Sequence, residues 1–141
     1  MPDATCARID EMEAIEGVLE GLKLHRARAA LGVRSLGISI LDMEPNATQY
    51  PEHDHSPDGI GGRMFAKRPG QLGQEEVYIA LRGSGEVEVE GERYPLDADH
   101  VVRVGHGAKR KVWAGDQGLR LLALGGKPGQ PYEPADMPRP N

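Results

Sequence analysis

The chain has 141 residues, and its 17 basic and 22 acidic residues give a formal net charge of −5. Because both signs are mixed along the chain, this balance argues against nucleic acid or an acidic membrane surface as the main partner; the length predicts one domain. No apolar run approaches the roughly 20 residues that span a bilayer, and residues 1–4 lack the basic start of a signal peptide, which predicts a cytoplasmic protein. The single cysteine, Cys6, excludes an internal disulfide.

Residues 1–30 are predicted to be an N-terminal arm or short helix. Apolar residues recur at three- and four-residue steps, which fits an amphipathic helix: Ile9, Met12, Ile15, Val18, Leu19 and Leu22. Gly17 and Gly21 weaken the helical pattern. An arm that packs along the rest of the domain, or against a partner subunit, is equally compatible.

From residue 36 onward the pattern is that of strands. Residues 36–43 alternate as a half-buried strand, and residues 77–81 form a second. Residues 86–90 alternate strictly and return after Gly91 through residues 93–96, which predicts a hairpin with its glutamates in solvent. Residues 101–104, 111–113 and 119–124 add further short strands. Short strands divided by glycine turns predict an all-β sandwich or barrel of antiparallel sheets.

Two segments do not follow this pattern of short strands and glycine turns. Residues 56–75 contain five glycines, Arg63 and the only phenylalanine, Phe65, and a loop of this length inside a compact domain is usually functional or mobile. A lid over a ligand and an inert surface insertion are both open interpretations. The tail, residues 127–141, holds five of the eleven prolines, so we expect it to wrap the surface or to remain disordered.

The tripeptide His53-Asp54-His55 is the main chemical signal. In an extended strand, side chains two residues apart project from one face, so both imidazoles can point at one place. A carboxylate from a neighbouring strand would complete a two-histidine, one-carboxylate site, a facial arrangement that leaves positions open on a metal.

The spacing of these residues resembles the first motif of the cupins, G-x5-H-x-H-x3,4-E-x6-G. Ala47 stands at the first glycine, while His53, His55, Glu76 and Gly83 match in order. Twenty residues, rather than three or four, separate His55 from Glu76. The resemblance implies an antiparallel β-barrel of the jelly-roll (double-stranded β-helix) type over residues 31–126, with residues 56–75 as a long loop at its mouth. It also implies that His53, His55 and Glu76 bind one divalent metal: zinc, iron, nickel or manganese.

The second cupin motif, G-x5-P-x-G-x2-H-x3-N, is eroded. Asp99, Gly105 and Ala114 replace its first glycine, proline and asparagine, Gly107 matches, and Arg110 takes the place of the fourth metal ligand. A guanidinium has only donors and cannot ligate a metal. At roughly 4 Å and an effective dielectric of about 20, its charge would repel a divalent ion by about 8 kcal/mol. The same charge would attract Glu76 or an anionic substrate.

Two hypotheses follow. In the first, the protein binds a small molecule, favoured as an anion by Arg110, in a barrel whose metal site is degenerate. In the alternative, it is a metal-dependent enzyme of the dioxygenase, isomerase or decarboxylase type that uses His53, His55 and Glu76. Tyr78, Arg103 and Arg110 are the candidate substrate-binding residues, and no catalytic residue is assigned.

A homodimer is expected as well. Single-barrel cupins commonly pair through sheet edges, and an open edge exposes backbone groups that a second copy can cover.

Overall fold

The computed structural model describes residues 3–17, 19–66 and 69–131. Within these ranges, seven antiparallel strands form one sheet in the order β1-β2-β3-β7-β4-β5, with β6 paired to β4. The strands are β1 Ala14–Glu16, β2 Leu22–His25, β3 Gly37–Met43, β4 Glu75–Val89, β5 Glu92–Leu96, β6 Val101–Val104 and β7 Arg110–Gly126. The helices are α1 Ala27–Leu31 and α2 Ile60–Met64, with 3-10 turns at Ile9–Glu11 and Pro69–Gln71.

The two long strands, β4 and β7, belong to both halves of the molecule. Residues 75–83 of β4 pair with residues 119–126 of β7, whereas residues 85–89 pair with residues 110–114. The register shifts twice between these two stretches, between Ala80 and Arg82 and between Gly83 and Gly85. Gly83 has φ +73°, and a Cβ there would collide with the carbonyl oxygen of Gly118, so only glycine fits this crossing.

The all-β, antiparallel fold class is confirmed, but the barrel is not continuous. The sheet formed by the described strands is open, so its two halves face each other as in a sandwich. Buried side chains from both halves fill the space between them: Tyr78, Val87, Leu96, Val104, Val112, Leu119 and Leu121.

The predicted hairpin is present as β4, β5 and the turn between them. Val87 is fully buried, while Glu86 and Glu88 point outward and each reaches Arg93, at 3.1 and 3.2 Å. Alternation therefore assigned both faces of this element correctly.

The N-terminal residues form strands rather than the amphipathic helix. A 3-10 turn is followed by β1 and β2, and β2 pairs with β3 through Leu24 and Leu41. The amphipathic helix is not formed over residues 9–22, because strand pairing with a distant segment fixes the backbone there, and Leu22 and Leu24 are partly buried. β1 and β2 lie at one edge of the sheet. Val18 lies outside the described residues.

The long loop is partly ordered. Residues 56–75 contain α2 and the 3-10 turn, although Lys67 and Arg68 lie outside the described residues. Most of the proline-rich tail, residues 132–141, also lies outside them, so the prediction for it is unanswered. No helix among the described residues is long and apolar enough to cross a membrane.

Candidate metal centre and cavity

The histidine-bearing segment lies against the start of β7. His53 and Arg110 exchange both backbone hydrogen bonds, at 3.0 and 2.8 Å, and the amide of His55 donates to the carbonyl of His106 at 2.7 Å. This pairing holds residues 53–55 extended, so the two imidazoles share one face. Their ring centroids are 5.3 Å apart.

The structure brings the three candidate metal ligands together. One ligand atom from each of His53, His55 and Glu76 lies within 4.8 Å of the others. Both histidines are buried, and the Glu76 side chain is only 14% exposed. Glu76 reaches the cluster because β4 begins at Glu75, directly after the long loop.

Backbone carbonyls fix the orientation of both imidazoles. His53 Nδ1 lies 2.9 Å from the Pro51 carbonyl oxygen, and His55 Nδ1 lies 2.6 Å from that of Gln71. A carbonyl can only accept, so each Nδ1 carries the hydrogen and each Nε2 of the neutral ring presents a lone pair.

His55 Nε2 is the clearest sign that a cation fits here. It lies 3.3 Å from Glu76 Oε1, but without hydrogen-bond geometry, and it has no hydrogen-bond partner among the described residues. A buried acceptor that faces a carboxylate oxygen is unfavourable unless a proton or a metal ion lies between them. Two imidazole lone pairs and one carboxylate suit a first-row divalent metal.

Glu76 is held ionised by its neighbours. Tyr78 Oη donates to Glu76 Oε1 at 2.7 Å, and Arg110 Nη1 donates to the same oxygen at 2.9 Å. Burial acts most strongly on the pKa of Glu76 and raises it, but His55, Tyr78 and Arg110 together outweigh burial and lower that pKa to about 2. Burial, reinforced by the Glu76 charge, raises the pKa of Tyr78 well above its ordinary value.

The pKa of His53 shifts in the direction that favours ligation. Burial lowers it to about 4, which outweighs the opposing effects of the Pro51 carbonyl and the Glu76 charge. His53 is therefore a neutral imidazole at physiological pH, the form that binds metals.

Arg110 is buried beneath the site rather than lining the cavity. Its Nε donates to the Ala108 carbonyl at 3.0 Å and its Nη2 to the Gly105 carbonyl at 2.7 Å, while Nη1 holds Glu76. Each guanidinium nitrogen therefore already has a protein partner. Arg110 acts as the internal partner of Glu76, and its predicted contact with a substrate has no support in this geometry.

The other two candidate substrate-binding residues lie on opposite faces of the sheet. Tyr78 lines the cavity beside Glu76. Arg103 does not, because it pairs with Val77, the neighbour of Tyr78, and so lies on the outer face of the sheet. Its side chain is 67% exposed and donates to Glu75 at 2.6 Å. Arg103 therefore lies on the surface, outside the cavity, and its predicted contact with a substrate has no support in this geometry.

The site opens into a cavity of about 390 Å³. Aliphatic side chains from β1, β2, β3, β7 and the loop after β1 form one wall, and sequence reasoning missed most of them: Ile15, Leu19, Leu22, Leu24, Leu41 and Leu121. The two-residue alternation of Leu22 and Leu24 was the available signal. Met64 and Phe65 of the long loop also line the cavity, and the Phe65 ring lies 5.0 Å from that of His55. Ser39, Tyr50 and Gln71 add uncharged polar side chains.

A second charged cluster occupies the outer face, opposite the cavity. His25 is buried and lies 2.7 Å from Asp42 Oδ2. Arg120 holds both oxygens of Asp42, at 2.7 and 2.9 Å, and also contacts Asp10. Burial raises the pKa of Asp42, but Arg120 and His25 outweigh burial and lower it to about 2. Because Arg120 already compensates the negative charge of Asp42, this cluster is an ion-pair network.

Comparisons with known proteins identify the fold. No family model matches the chain, and no curated protein matches it. Among solved structures, a cupin protein from Bacteroides fragilis aligns over 100% of both chains, with 18% identity and a TM-score of 0.61.

Two further solved structures agree. A sugar phosphate isomerase from a cupin superfamily, from Silicibacter pomeroyi, aligns over 87% of this chain and 76% of its own, with 15% identity and a TM-score of 0.64. A predicted oxalate decarboxylase from Thermotoga maritima aligns over 86% and 97%, with 19% identity and a TM-score of 0.60. The chain therefore has the cupin fold, as its first motif predicted.

Proposed function

We propose that this protein binds a small molecule in its cavity, next to a three-ligand metal site formed by His53, His55 and Glu76. The observation that carries the proposal is the convergence of three acceptor atoms within 4.8 Å on the cavity wall, with His55 Nε2 buried and unpartnered among the described residues. When bound, a zinc, iron, nickel or manganese ion would supply a Lewis acid with open positions for a ligand oxygen.

The remaining side chains of the site orient these ligands. The Pro51 and Gln71 carbonyls fix the two imidazoles, and Tyr78 and Arg110 hold Oε1 of Glu76. The site is degenerate in that Arg110 replaces a fourth ligand. Its charge is partly offset by Glu76, which lowers the repulsion that an ion would meet.

Elemental analysis tests the metal site. The protein should be purified without chelator and without a metal-affinity step. We expect close to one equivalent of zinc, iron, nickel or manganese per chain, and loss of that metal in His53→Ala. His100→Ala is the matched control, because His100 is exposed and pairs with Asp97 on the surface. Metal content that is negligible in the wild type, or equal in wild type and His53→Ala, would reject the site.

Catalysis is the second candidate function. A three-ligand site leaves coordination positions that a substrate can occupy, and solved structures of the same fold include an isomerase and a predicted decarboxylase. Recovery of bound ligand separates the two functions. A ligand released unchanged supports binding alone, whereas conversion that disappears in His55→Ala supports an enzyme.

A further inference from the structure

The cavity has two chemically different ends. At one end lie His53, His55 and Glu76, with the Tyr78 hydroxyl directed at Glu76. The rest of the wall is built largely from aliphatic side chains, with Phe65 beside the histidines. Among the described residues, none of the side chains that line this cavity, apart from the three candidate ligands, is ionisable at neutral pH.

This division restricts the kind of molecule that fits. A sugar or sugar phosphate carries polar groups on every side, and those that meet the leucine and isoleucine side chains would lose water without gaining a partner. A molecule with one polar end and an apolar body loses no such hydrogen bonds. The cavity volume of about 390 Å³ is that of a site for a small organic molecule.

Charge selects the polar end. One carboxylate offsets only half the charge of a divalent ion, and a coordinating imidazole adds none, so a net positive charge remains at the metal and the nearby Arg110 adds to it. Arg110 itself is out of reach of a ligand, because its side chain is completely buried and does not line the cavity. An anionic oxygen that completes the coordination of the metal would be attracted by both charges.

We infer that the ligand is an aliphatic monocarboxylate whose carboxylate meets the metal and whose chain lies along the leucine-rich wall. This inference rests on the proposed metal-binding function. It names the class of ligand that the same site would take.

Calorimetric titration of the zinc-loaded full-length protein tests this class. The probes are butanoate, pentanoate and hexanoate. Glucose 6-phosphate is the comparison anion, because its body is polar rather than aliphatic. We expect affinity to rise about fourfold with each added methylene, as burial of one CH₂ predicts. Glucose 6-phosphate should bind at least roughly tenfold more weakly than hexanoate, because its hydroxyls lack partners. Equal or tighter binding of glucose 6-phosphate, or no dependence on chain length, would overturn the inference.

A cavity variant gives a readout that a loss of stability would not mimic. Leu41→Ala removes an aliphatic group from the wall, so the ratio of octanoate to hexanoate affinity should rise at least about threefold. Leu81→Ala is the matched control, because Leu81 is exposed and does not line the cavity. An unchanged ratio in Leu41→Ala would contradict the proposed position of the chain.

Metal-free protein separates this inference from the function on which it rests. If zinc does not bind, the metal site fails and the carboxylate preference fails with it. Titration of 1-hexanol and of glucose into the metal-free protein then tests whether the cavity prefers a ligand with an aliphatic body. Binding of 1-hexanol alone supports an aliphatic ligand, whereas equal binding of glucose, or no binding of 1-hexanol, rejects it.

Discussion

Arg110 shows how a cation can be stable beside a candidate metal site. The side chain is completely buried, a position that a charged group occupies only when it is paired and hydrogen-bonded. Glu76 supplies the opposite charge, and the carbonyls of Gly105 and Ala108 accept from the other guanidinium nitrogens. Removing one partner from such a pair typically costs about 3–5 kcal/mol.

Replacing Arg110 with histidine should strengthen metal binding. The substitution removes the nearby positive charge and restores the residue type of the family's fourth ligand, so zinc affinity should rise at least about a hundredfold. The metal-free variant should be less stable, because the two carbonyls lose their donors, and excess zinc should restore stability.

Zinc calorimetry and urea unfolding of Arg110→His measure both effects. Arg103→His is the matched control, since Arg103 makes its ion pair on the outer surface. Equal zinc affinity in wild type and Arg110→His would contradict the predicted gain, and equal, negligible affinity would show that the motif positions do not converge on one ion.

Asp42 should make the free energy of unfolding depend on pH in acid. Its folded-state pKa is about 2, below the ordinary 3.8, because Arg120 and His25 outweigh burial. The stabilisation is therefore complete above pH 3.8 and is lost as the pH falls towards 2. A shift of this size corresponds to about 2 kcal/mol.

Urea unfolding at pH 4.5, 3.5 and 2.5 checks this stabilisation. The stability advantage of the wild type over Asp42→Asn should shrink steadily across that range. Asp116→Asn, at an exposed position, should keep the pH dependence of the wild type. An advantage that is constant from pH 4.5 to 2.5 would refute the role of Asp42.

At the scale of elements, Asp54 organises the long loop. Its carboxylate accepts from the amides of Ser56, at 3.1 Å, and Gly61, at 2.7 Å. Gly59 and Gly61 pack so closely on Asp54 that a Cβ at either position would collide with it. This packing fixes the start of α2 and brings Phe65 against the two histidines, with its ring 5.8 Å from that of His53.

Gly61→Ala should loosen this loop. The added methyl collides with the backbone of Asp54, which cannot move without disturbing His53 and His55. Trypsin should cut the wild type first between residues 63 and 68, because glycine-rich segments lose much entropy on ordering, and should cut there faster in the variant.

Gly107→Ala is the control, because a Cβ at Gly107 meets no atom of the described residues within 4 Å. Mass spectrometry of early fragments identifies the first cut. Primary cleavage of the wild type in the strands after Gly83 would contradict the prediction, as would equal rates in wild type and Gly61→Ala.

The β4–β5 hairpin and the two N-terminal strands together show what local sequence patterns can and cannot predict. Residues 86–96 form a hairpin whose partner is adjacent in sequence, so alternation and one glycine were enough to predict it. By contrast, β2 pairs with β3, and Leu24 meets Leu41, seventeen positions away. Helical spacing over residues 9–22 could not reveal that partner, because tertiary pairing decided the outcome.

The same distinction applies to the site. The spacing His53-Asp54-His55 was sufficient to predict two imidazoles on one face, since it depends only on strand geometry. The carbonyls of Pro51 and Gln71 that fix those imidazoles depend on the path of the backbone, and no residue type signals them. The cavity wall was missed because half of it comes from the mispredicted N-terminal strands.

For the whole molecule, the outer face of the sheet suggests a partner surface. Ile79 pairs with Leu122 on β7 and with Val101 on β6, which places apolar side chains side by side on the face away from the cavity. Val101 is 65% exposed and Leu81 is 45% exposed. Adjacent exposed apolar groups on a sheet beside an edge strand are typical of an association surface.

We therefore propose a homodimer that uses this face. Light scattering at micromolar concentration should give about twice the chain mass of 15.3 kDa. Val101→Lys should shift the mass towards that of the monomer, because a charge would be buried in the interface. Tyr94→Lys, at an exposed position on β5, should remain dimeric. A wild-type mass near 15.3 kDa would reject the dimer.

The central claim is that His53, His55 and Glu76 form one metal site despite the nearby Arg110. Calorimetric titration of zinc into metal-free protein, comparing the wild type with His55→Ala, tests it most directly. We predict one zinc per chain for the wild type and at least about a hundredfold weaker binding for His55→Ala, because the buried Nε2 is lost as a ligand. Absent or equally weak zinc binding in both proteins would contradict the claim.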